Sequence, residues 1–260
     1  MTDLRVEKKD AVAVVTLNRP EKYNAFTFDL MNEVIEVFRM LASDAATRLI
    51  VLSGAGEKAF CTGADLADLM RFDTAVKARK YAQKVDEMMD TVMSCPKPTV
   101  AAVNGFALGG GMGLAAACDL RVMSRSAKAG FPAVRIGAVL PVGCSFRVMA
   151  LIGLAKSKEL MLTARLIDAE EALRIGLVTA VVPPEKLWEK TFELAEEILE
   201  GGDEALYATK LILNQKLAAE IQQFAQMSPD NFAYLSTTKD WKERITAFLN
   251  KKNNSGRNGT

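Results

Sequence analysis

Three consecutive glycines at 109–111 stand between an apolar run and an alanine-rich segment, and they constrain the fold more than any other feature of the chain. The run at 99–103 follows a proline and carries β-branched residues, which is typical of a buried strand. The segment at 112–118 is small and alanine-rich, which predicts a buried helix. Glycines that open a helix leave its first N–H groups accessible, because no β-carbon blocks the approach of a ligand.

The N–H groups at such a helix start carry the positive end of the helix dipole. They can donate to an anion or to a carbonyl oxygen that gains negative charge. Close packing of the helix against the strand would need the same small residues, so the glycines alone leave both interpretations open. The pattern is neither a Walker loop nor a dinucleotide-binding fingerprint, because no Gly-Lys-Ser/Thr follows and the glycine spacing differs.

Composition excludes several classes of function. The chain has 33 Lys and Arg against 32 Asp and Glu, so a net charge of +1 gives no reason to expect a nucleic acid or a membrane as partner. It contains no histidine. Ser-His-Asp catalysis, Cys-His catalysis and histidine-ligated zinc are therefore excluded, and acid–base chemistry has to use carboxylates, Lys, Tyr, Cys or water.

Cysteine usage and the N-terminus indicate where the protein works. The four cysteines lie far apart without a CxxC pair, which favours reduced thiols in a cytoplasmic protein. The N-terminus has no apolar signal core, and no run of about 18 apolar residues predicts a membrane-spanning helix. With 260 residues, half of them hydrophobic, the chain is long enough for one large α/β domain or for a domain with an appendage.

The first two thirds of the chain predict alternating strands and helices. A hairpin is expected over 4–8 and 11–17, followed by a helix from Thr27 to about Ser43 that Thr27 caps. A buried strand at 49–52 leads into a glycine-containing loop over 54–63. The predicted elements that follow are a helix over 73–94 ended by Pro96, the glycine-rich strand–helix unit, and short strands at 121–123 and 129–131.

From residue 143 onward the pattern predicts mostly helix. The expected elements are a short strand at 178–182 and helices near 143–152, 155–162, 168–175, 184–200, 203–217 and 240–250. The change from mixed to nearly all-helical composition divides the chain into an α/β core at 1–200 and a C-terminal helical region at 201–260. Within that region the polar tail, 252–260, is expected to be disordered.

Several motifs together resemble one known family over nearly the whole chain. The segments Ala59–Leu66 (AFCTGADL) and Asn104–Gly111 (NGFALGGG) are similar to the crotonase family, which is the enoyl-CoA hydratase/isomerase superfamily. Further matches occur in order, at 18–25, 118–119, 163–172, 176–178 and 240–251. The resemblance implies a spiral of ββα repeats with a C-terminal helical region that builds trimers, often paired as hexamers. It also implies a coenzyme A thioester as ligand, with no separate cofactor.

The resemblance implies specific site residues. The thioester oxygen would lie between the backbone N–H groups of Ala64 and Gly110. This agrees with the accessible N–H groups that the three glycines predict at the start of the helix. The CoA arm would be lined by Lys22, Ala25, Ala64, Asp65 and Leu66, with Phe248 and Lys251 meeting adenine and phosphate. Asp65 also fits a structural role bonding local backbone. Without the resemblance, Phe248 would be assigned to a helix-face core and Lys251 to a solvated surface.

The chain departs from the family at two positions. Family hydratases place one glutamate two residues after the triple glycine and a second twenty residues later, and such a pair positions water and delivers a proton. Here these positions are Gly113 and Ala133, and the neighbouring sequence aligns without a gap. The aspartate that other members use some eight residues further on is here Pro141. Both carboxylates are therefore absent rather than displaced.

Other groups are candidates for the chemistry. Cys144 and Ser145 lie near the start of a predicted helix, where a thiolate would be favoured, although a small packed residue explains Cys144 equally simply. Cys61 beside the first loop has the same two interpretations. The remaining candidates are Asp68, Tyr23 and Tyr81, which could enter the site from a mobile loop. The acyl pocket is expected to be lined by the helix after Asp65 and by residues near Phe131 and Leu140.

Four functional hypotheses remain. The first is an enzyme that stabilises an enolate of an acyl-CoA without the carboxylate pair, by decarboxylation, thioester hydrolysis or a lyase step. The second is a silent CoA-binding or assembly subunit. The third is a conventional enoyl-CoA hydratase, which the loss of both acid–base groups argues against. A nucleotide-binding or RNA-binding scaffold has the least support, because no aromatic–basic motif appears.

Overall fold

The protein folds into two sheets wrapped by helices. The structure is a computed structural model that describes residues 3–257, with side chains described as far as residue 250. The strands are β1 (Leu4–Lys9), β2 (Val12–Leu17), β3 (Leu49–Gly54), β4 (Ala59–Cys61), β5 (Thr99–Val103), β6 (Phe106–Leu108), β7 (Leu120–Ser124), β8 (Lys128–Gly130), β9 (Leu166–Asp168) and β10 (Ala180–Val182).

The helices alternate with these strands and then dominate the last third of the chain. They are α1 (Phe28–Ser43), α2 (Leu66–Leu69), α3 (Ala75–Ser94), α4 (Gly110–Ala117), α5 (Val142–Thr163), α6 (Ala169–Arg174), α7 (Leu187–Leu199), α8 (Asp203–Gln223), α9 (Met227–Ser236) and α10 (Lys239–Arg257). The predicted α/β class with C-terminal helices is confirmed.

The larger sheet has the strand order β1-β2-β3-β5-β7-β10, antiparallel at the β1–β2 hairpin and parallel elsewhere. Every residue of β3 and β5 is buried, as expected for parallel strands with both faces covered. The hairpin turns at Asp10, which adopts a left-handed φ of 52°. The sequence predicted each of these strands from a segment that overlaps it.

The smaller sheet has the order β4-β6-β8-β9. Its strands β4, β6 and β9 were not predicted, and β4 lies inside the segment expected to be a loop. Each is three residues long, too short for an apolar period to identify. Because β4 and β6 are parallel neighbours, the loops that follow them emerge at the same edge of the sheet. This arrangement brings the two family motifs together.

Local signals define two of the long helices. The Thr27 hydroxyl caps α1 by accepting a hydrogen bond from the Leu30 N–H at 3.1 Å, as predicted. Helix α5 contains one non-helical residue, Gly153, with φ 73° and ψ 163°. Its two halves match the two helices predicted at 143–152 and 155–162.

The C-terminal helices pack against the core through an aromatic cluster. Phe72 and Tyr81 of the α2–α3 segment meet Phe232 of α9 and Trp241 of α10, with ring centroids between 5.1 and 6.4 Å apart. Helix α9 was not predicted. The tail expected to be disordered, 252–260, is helical up to Arg257, where α10 ends, and 258–260 lie outside the described residues. Within residues 3–257, no helix combines the length and apolar character needed to cross a bilayer.

Candidate active site

The loop after β4 touches the start of α4. A β-carbon placed on Gly63 would lie 3.0 Å from both the Gly110 nitrogen and the Leu108 oxygen, so glycine is required for this approach. Gly63 also has a φ of +83°, which favours glycine. Residue 64 therefore lies next to the first residue of α4, as the sequence motifs predicted.

Hydrogen bonding leaves two N–H groups available at this contact. The Phe26 N–H donates to the Gly63 oxygen at 2.7 Å, and the Asp65 N–H donates to the Phe26 oxygen at 2.9 Å. This parallel bridge directs the N–H of the intervening Ala64 away from Phe26. Gly110 is the first residue of α4, so its N–H has no partner within the helix. Among the described residues, neither N–H has an acceptor.

Polar side chains hold the first loop in place. Asn24, fully buried, accepts a hydrogen bond from the Arg19 N–H at 2.9 Å and donates to the Ala59 oxygen at 2.8 Å. The Asp65 carboxylate caps α2 by accepting from the Ala67 N–H at 3.0 Å, and it lies 3.2 Å from the Arg19 guanidinium. The expected local backbone bond of Asp65 is confirmed. The loop is thus positioned independently of any ligand.

Gly113 has sulfur atoms where a side chain would project. A β-carbon at this position would overlap Cys144 Sγ and would lie 3.0 Å from both Cys144 Cβ and Met89 Cε. The same Met89 methyl would lie 3.8 Å from a β-carbon on Gly110. Gly110 and Gly113 therefore face one side chain of α3, which spans the distance between them.

Comparison with known proteins places this arrangement in a family. Residues 7–256 match the family model described as enoyl-CoA hydratase/isomerase. The chain is 35% identical over 256 residues to a short-chain-enoyl-CoA hydratase of Clostridium acetobutylicum, with 98% of each chain covered. It is 36% identical over 247 residues to a crotonyl-CoA hydratase of Syntrophomonas wolfei, with 95% of each covered.

The chain belongs to the enoyl-CoA hydratase/isomerase family. A crystal structure of an enoyl-CoA hydratase from Bacillus halodurans superposes with a TM-score of 0.88 at 28% identity, covering 95% of this chain and 100% of that one. The fold and the family are thus those of crotonase-superfamily enzymes, as the sequence motifs predicted.

Ala133, the second position at which the sequence motifs predict a missing glutamate, lies in a short 3₁₀ helix, Pro132–Ile136. Ala133 is half-buried and packs against the core. Helix α10 lies against the same segment, since a β-carbon on Gly137 would be 3.1 Å from Trp241 Cα. Of the residues expected near the acyl group, Leu140 approaches Gly109, because a β-carbon there would lie 3.9 Å from Leu140 Cδ2. Phe131 is fully buried.

The cysteines of the site are buried thiols. Burial raises the pKa of Cys144 to about 12, and burial likewise raises the pKa of Cys61 to about 12. Loss of hydration disfavours the charged thiolate, so the structure favours the interpretation of Cys144 as a small packed residue over that of a reactive thiolate. The structural interpretation of both cysteines fits better.

Two of the other candidate acids, Asp68 and Tyr81, lie in helices rather than in a loop. Tyr81 lies within α3 and is buried in the aromatic cluster, where burial raises its pKa. Its hydroxyl donates to the Phe26 oxygen at 3.5 Å. Asp68 lies in α2, where partial burial and the neighbouring Asp65 raise its pKa. Tyr23 has a left-handed φ of 54° at the end of a 3₁₀ turn.

The residues predicted to line the CoA arm are spread over two regions. Lys22 is exposed, Ala25 is buried and Leu66 is half-buried, all close to the first loop in the chain. Phe248 is 48% exposed on α10. Lys251 lies beyond the last residue whose side chain is described. The assignment of these residues to CoA binding stays a prediction.

A cluster of charged residues around the buried Arg147 was not predicted. Arg147, almost completely buried on α5, pairs with Asp90 and donates from Nε to Met93 Sδ at 3.2 Å. The carboxylate of Asp86 approaches the Gly143 N–H and the Ser228 hydroxyl, but neither of its oxygens reaches hydrogen-bond geometry with a described residue. Burial and the nearby Asp90 raise the pKa of Asp86 to about 7, although Arg147 opposes the change. In the sequence, Asp86, Asp90 and Arg147 have the spacing of charged residues on an ordinary solvent-exposed helix face, so nothing there indicates that they come together.

Proposed function

We propose that this family member binds an acyl-CoA thioester and stabilises an enolate oxyanion with the N–H groups of Ala64 and Gly110, without using a pair of carboxylates. The observation that carries the proposal is the meeting of two N–H groups without acceptors beside a position, Gly113, that is lined by sulfur. Two donors aimed at one oxygen lower the barrier to enolate formation, and loss of one donor costs about 3 kcal/mol.

Decarboxylation of a 2-carboxyacyl-CoA is the reaction that this site supports best. The bond between the α-carbon and the carboxylate breaks, carbon dioxide leaves, and the electron pair becomes the enolate held by the two donors. The α-carbon then takes a proton from solvent. This sequence needs no protein base, whereas hydration needs one group to activate water and another to protonate carbon.

The relatives named above favour hydration as the alternative. The loss of each acid–base group is expected to cost a factor of about 10² to 10⁴. Crotonyl-CoA hydration, followed by the loss of enone absorbance, is therefore the direct contrast. Efficient hydration by the unaltered protein would refute the part of the proposal that excludes the carboxylate pair.

A panel of CoA thioesters tests the proposal, with 2-carboxyacyl-CoA included. We expect turnover that Gly110→Pro reduces by roughly 10² to 10³ relative to Gly110→Ala. Proline is tolerated at the first position of a helix, and it replaces the N–H hydrogen with the Cδ of its ring. Alanine is the matched control, because its β-carbon makes the same 3.1 Å contact with the Phe26 ring while the N–H remains.

Two results would count against this reading. Equal activity of the Pro and Ala variants would exclude the Gly110 N–H from catalysis. Thioester binding without turnover, with activity appearing only on mixing with an active homologue, would indicate a silent assembly subunit.

The CoA contacts and the assembly belong to the same proposal. Lys22, Ala25, Leu66, Phe248 and Lys251 are proposed to line the CoA arm, and Phe248→Ala is expected to raise KM more than it lowers kcat. A homotrimer or a pair of trimers is proposed as the assembly, supported by the exposed apolar side chains of α8, Leu211, Ile212 and Leu213. Light scattering that gives a monomer mass would refute the assembly. Four buried free cysteines support a cytoplasmic location.

A further inference from the structure

Steric crowding explains why position 113 is occupied by glycine. Glycine inside a helix destabilises it relative to alanine, so a helix as buried and alanine-rich as α4 gains nothing locally from Gly113. An alanine there would place its β-carbon onto Cys144 Sγ and only 3.0 Å from Met89 Cε. Cys144 and Met89 are both completely buried, so neither side chain can turn outward. Two side chains from other helices therefore occupy the volume that residue 113 would fill.

The surface made by these two side chains is apolar and uncharged. The Cys144 thiol lies 4.0 Å from the Gly109 oxygen, and burial raises its pKa to about 12 although Arg147 opposes the change, so it stays protonated at neutral pH. A thiol is a weak donor and a thioether is a weak acceptor. Neither can hold and activate a water molecule as a carboxylate does. Met89 also reaches Gly110, so this surface begins beside one of the two N–H donors.

We propose that Cys144 and Met89 are specificity-determining residues. Their side chains fill the space beside Gly113, exclude a carboxylate from it and present an apolar surface next to the oxyanion donors. The steric part of this inference, that the two side chains fill the space beside Gly113, rests on packing alone. The catalytic part, that they thereby select the reaction, rests on the proposed function. A substrate carboxylate near this surface would lose hydration, and the loss favours movement of its charge toward the N–H donors.

The steric part is tested without substrate. We expect Gly113→Ala alone to lower the unfolding temperature by several degrees, because overpacking a buried site is destabilising. Combining it with Cys144→Ala should remove most of that penalty, so the double variant is more stable than the sum of the single effects predicts. Cys118→Ala is the matched control. Cys118 is a buried cysteine at the end of α4, the helix that contains Gly113, but it is not among the atoms that a β-carbon on Gly113 would meet. Additive effects in both pairs would overturn the inference.

The catalytic part is tested by restoring the carboxylates. The double variant Gly113→Glu/Ala133→Glu is expected to lack hydration of crotonyl-CoA. Adding Cys144→Gly to it should raise the hydration rate by at least roughly 10²-fold. Equal hydration with and without Cys144→Gly overturns the exclusion of a carboxylate, and no gain in the triple variant overturns the specificity role. Failure of the proposed function is distinguishable, since it appears in the unaltered protein as no thioester turnover or as efficient hydration.

Discussion

The buried carboxylate of Asp86 predicts that stability falls as the pH rises toward neutrality. Its pKa is raised from 3.8 to about 7 in the folded protein. Between these values the folded state keeps a proton that the unfolded state releases, so the free energy of unfolding decreases with rising pH. The stabilisation of the folded protein by protonated Asp86, relative to ionised Asp86, is complete below pH 4. It is lost progressively up to about pH 7 and is absent above that pH.

The magnitude follows from the two pKa values. At about 1.4 kcal/mol per pKa unit, the change from 3.8 to about 7 corresponds to about 4 kcal/mol between the protonated and ionised limits. Asparagine resembles the protonated carboxyl and does not ionise. We therefore expect the stabilisation from Asp86→Asn to grow by about 3 kcal/mol between about pH 4.5 and about pH 8. Arg147 keeps its ion pair with Asp90 in this variant.

Urea unfolding at several pH values measures this difference directly. Asp73→Asn is the control, because Asp73 is exposed and Lys77 holds its pKa below the usual range, so it titrates below this pH window. We expect its stability curve to run parallel to that of the unaltered protein between pH 4.5 and 8, whereas the Asp86→Asn curve diverges. Parallel curves for Asp86→Asn would refute the assignment of a perturbed, buried carboxyl.

Two further predictions concern neighbouring groups. Gly143→Ala should lower the free energy of unfolding by about 1–3 kcal/mol in urea titrations, because the new β-carbon would lie 2.6 Å from Arg147 Nη1. Gly202→Ala is the control, because a β-carbon there meets nothing within 4 Å, and an equal loss of stability in that variant would contradict the steric reason. Iodoacetamide at about pH 8 should leave Cys61 and Cys144 unlabelled in the folded protein and label both in urea, as followed by mass spectrometry; rapid labelling of folded Cys144 would show that the thiol is accessible.

The sequence predicted the elements whose causes are local. The side chain of Thr27 and the backbone of Gly153 set a helix start and a helix break within a few residues, so each could be read directly. Two motifs 40 to 50 residues apart were expected to meet, and the parallel pairing of β4 with β6 brings them together. That meeting was predicted from the family resemblance rather than from the apolar pattern.

The rest depends on contacts between distant residues. Nothing near Gly113 in the chain indicates that Cys144 and Met89 fill its side-chain space, because those contacts come from α5 and α3. The start of α5 alone allows either a thiolate or a packed thiol at Cys144, and only burial by the whole fold distinguishes the two. Helix α9 contains Pro229 and polar residues with weak helix propensity, and it is stabilised by packing on α3 rather than by its own sequence.

The aromatic contacts of the C-terminal helices also determine when the molecule can be completed during synthesis. Phe232 packs on Tyr81 and Phe72, and Trp241 packs in turn on Phe232, so the rings that cover the α2–α3 segment follow it in the chain by about 150 residues. A nascent chain that ends near residue 200 would expose Phe72 and Tyr81 to water, so the α3 face stays uncovered until α9 and α10 have been synthesised. Partners that protect exposed apolar surface on nascent chains would meet this protein at that stage.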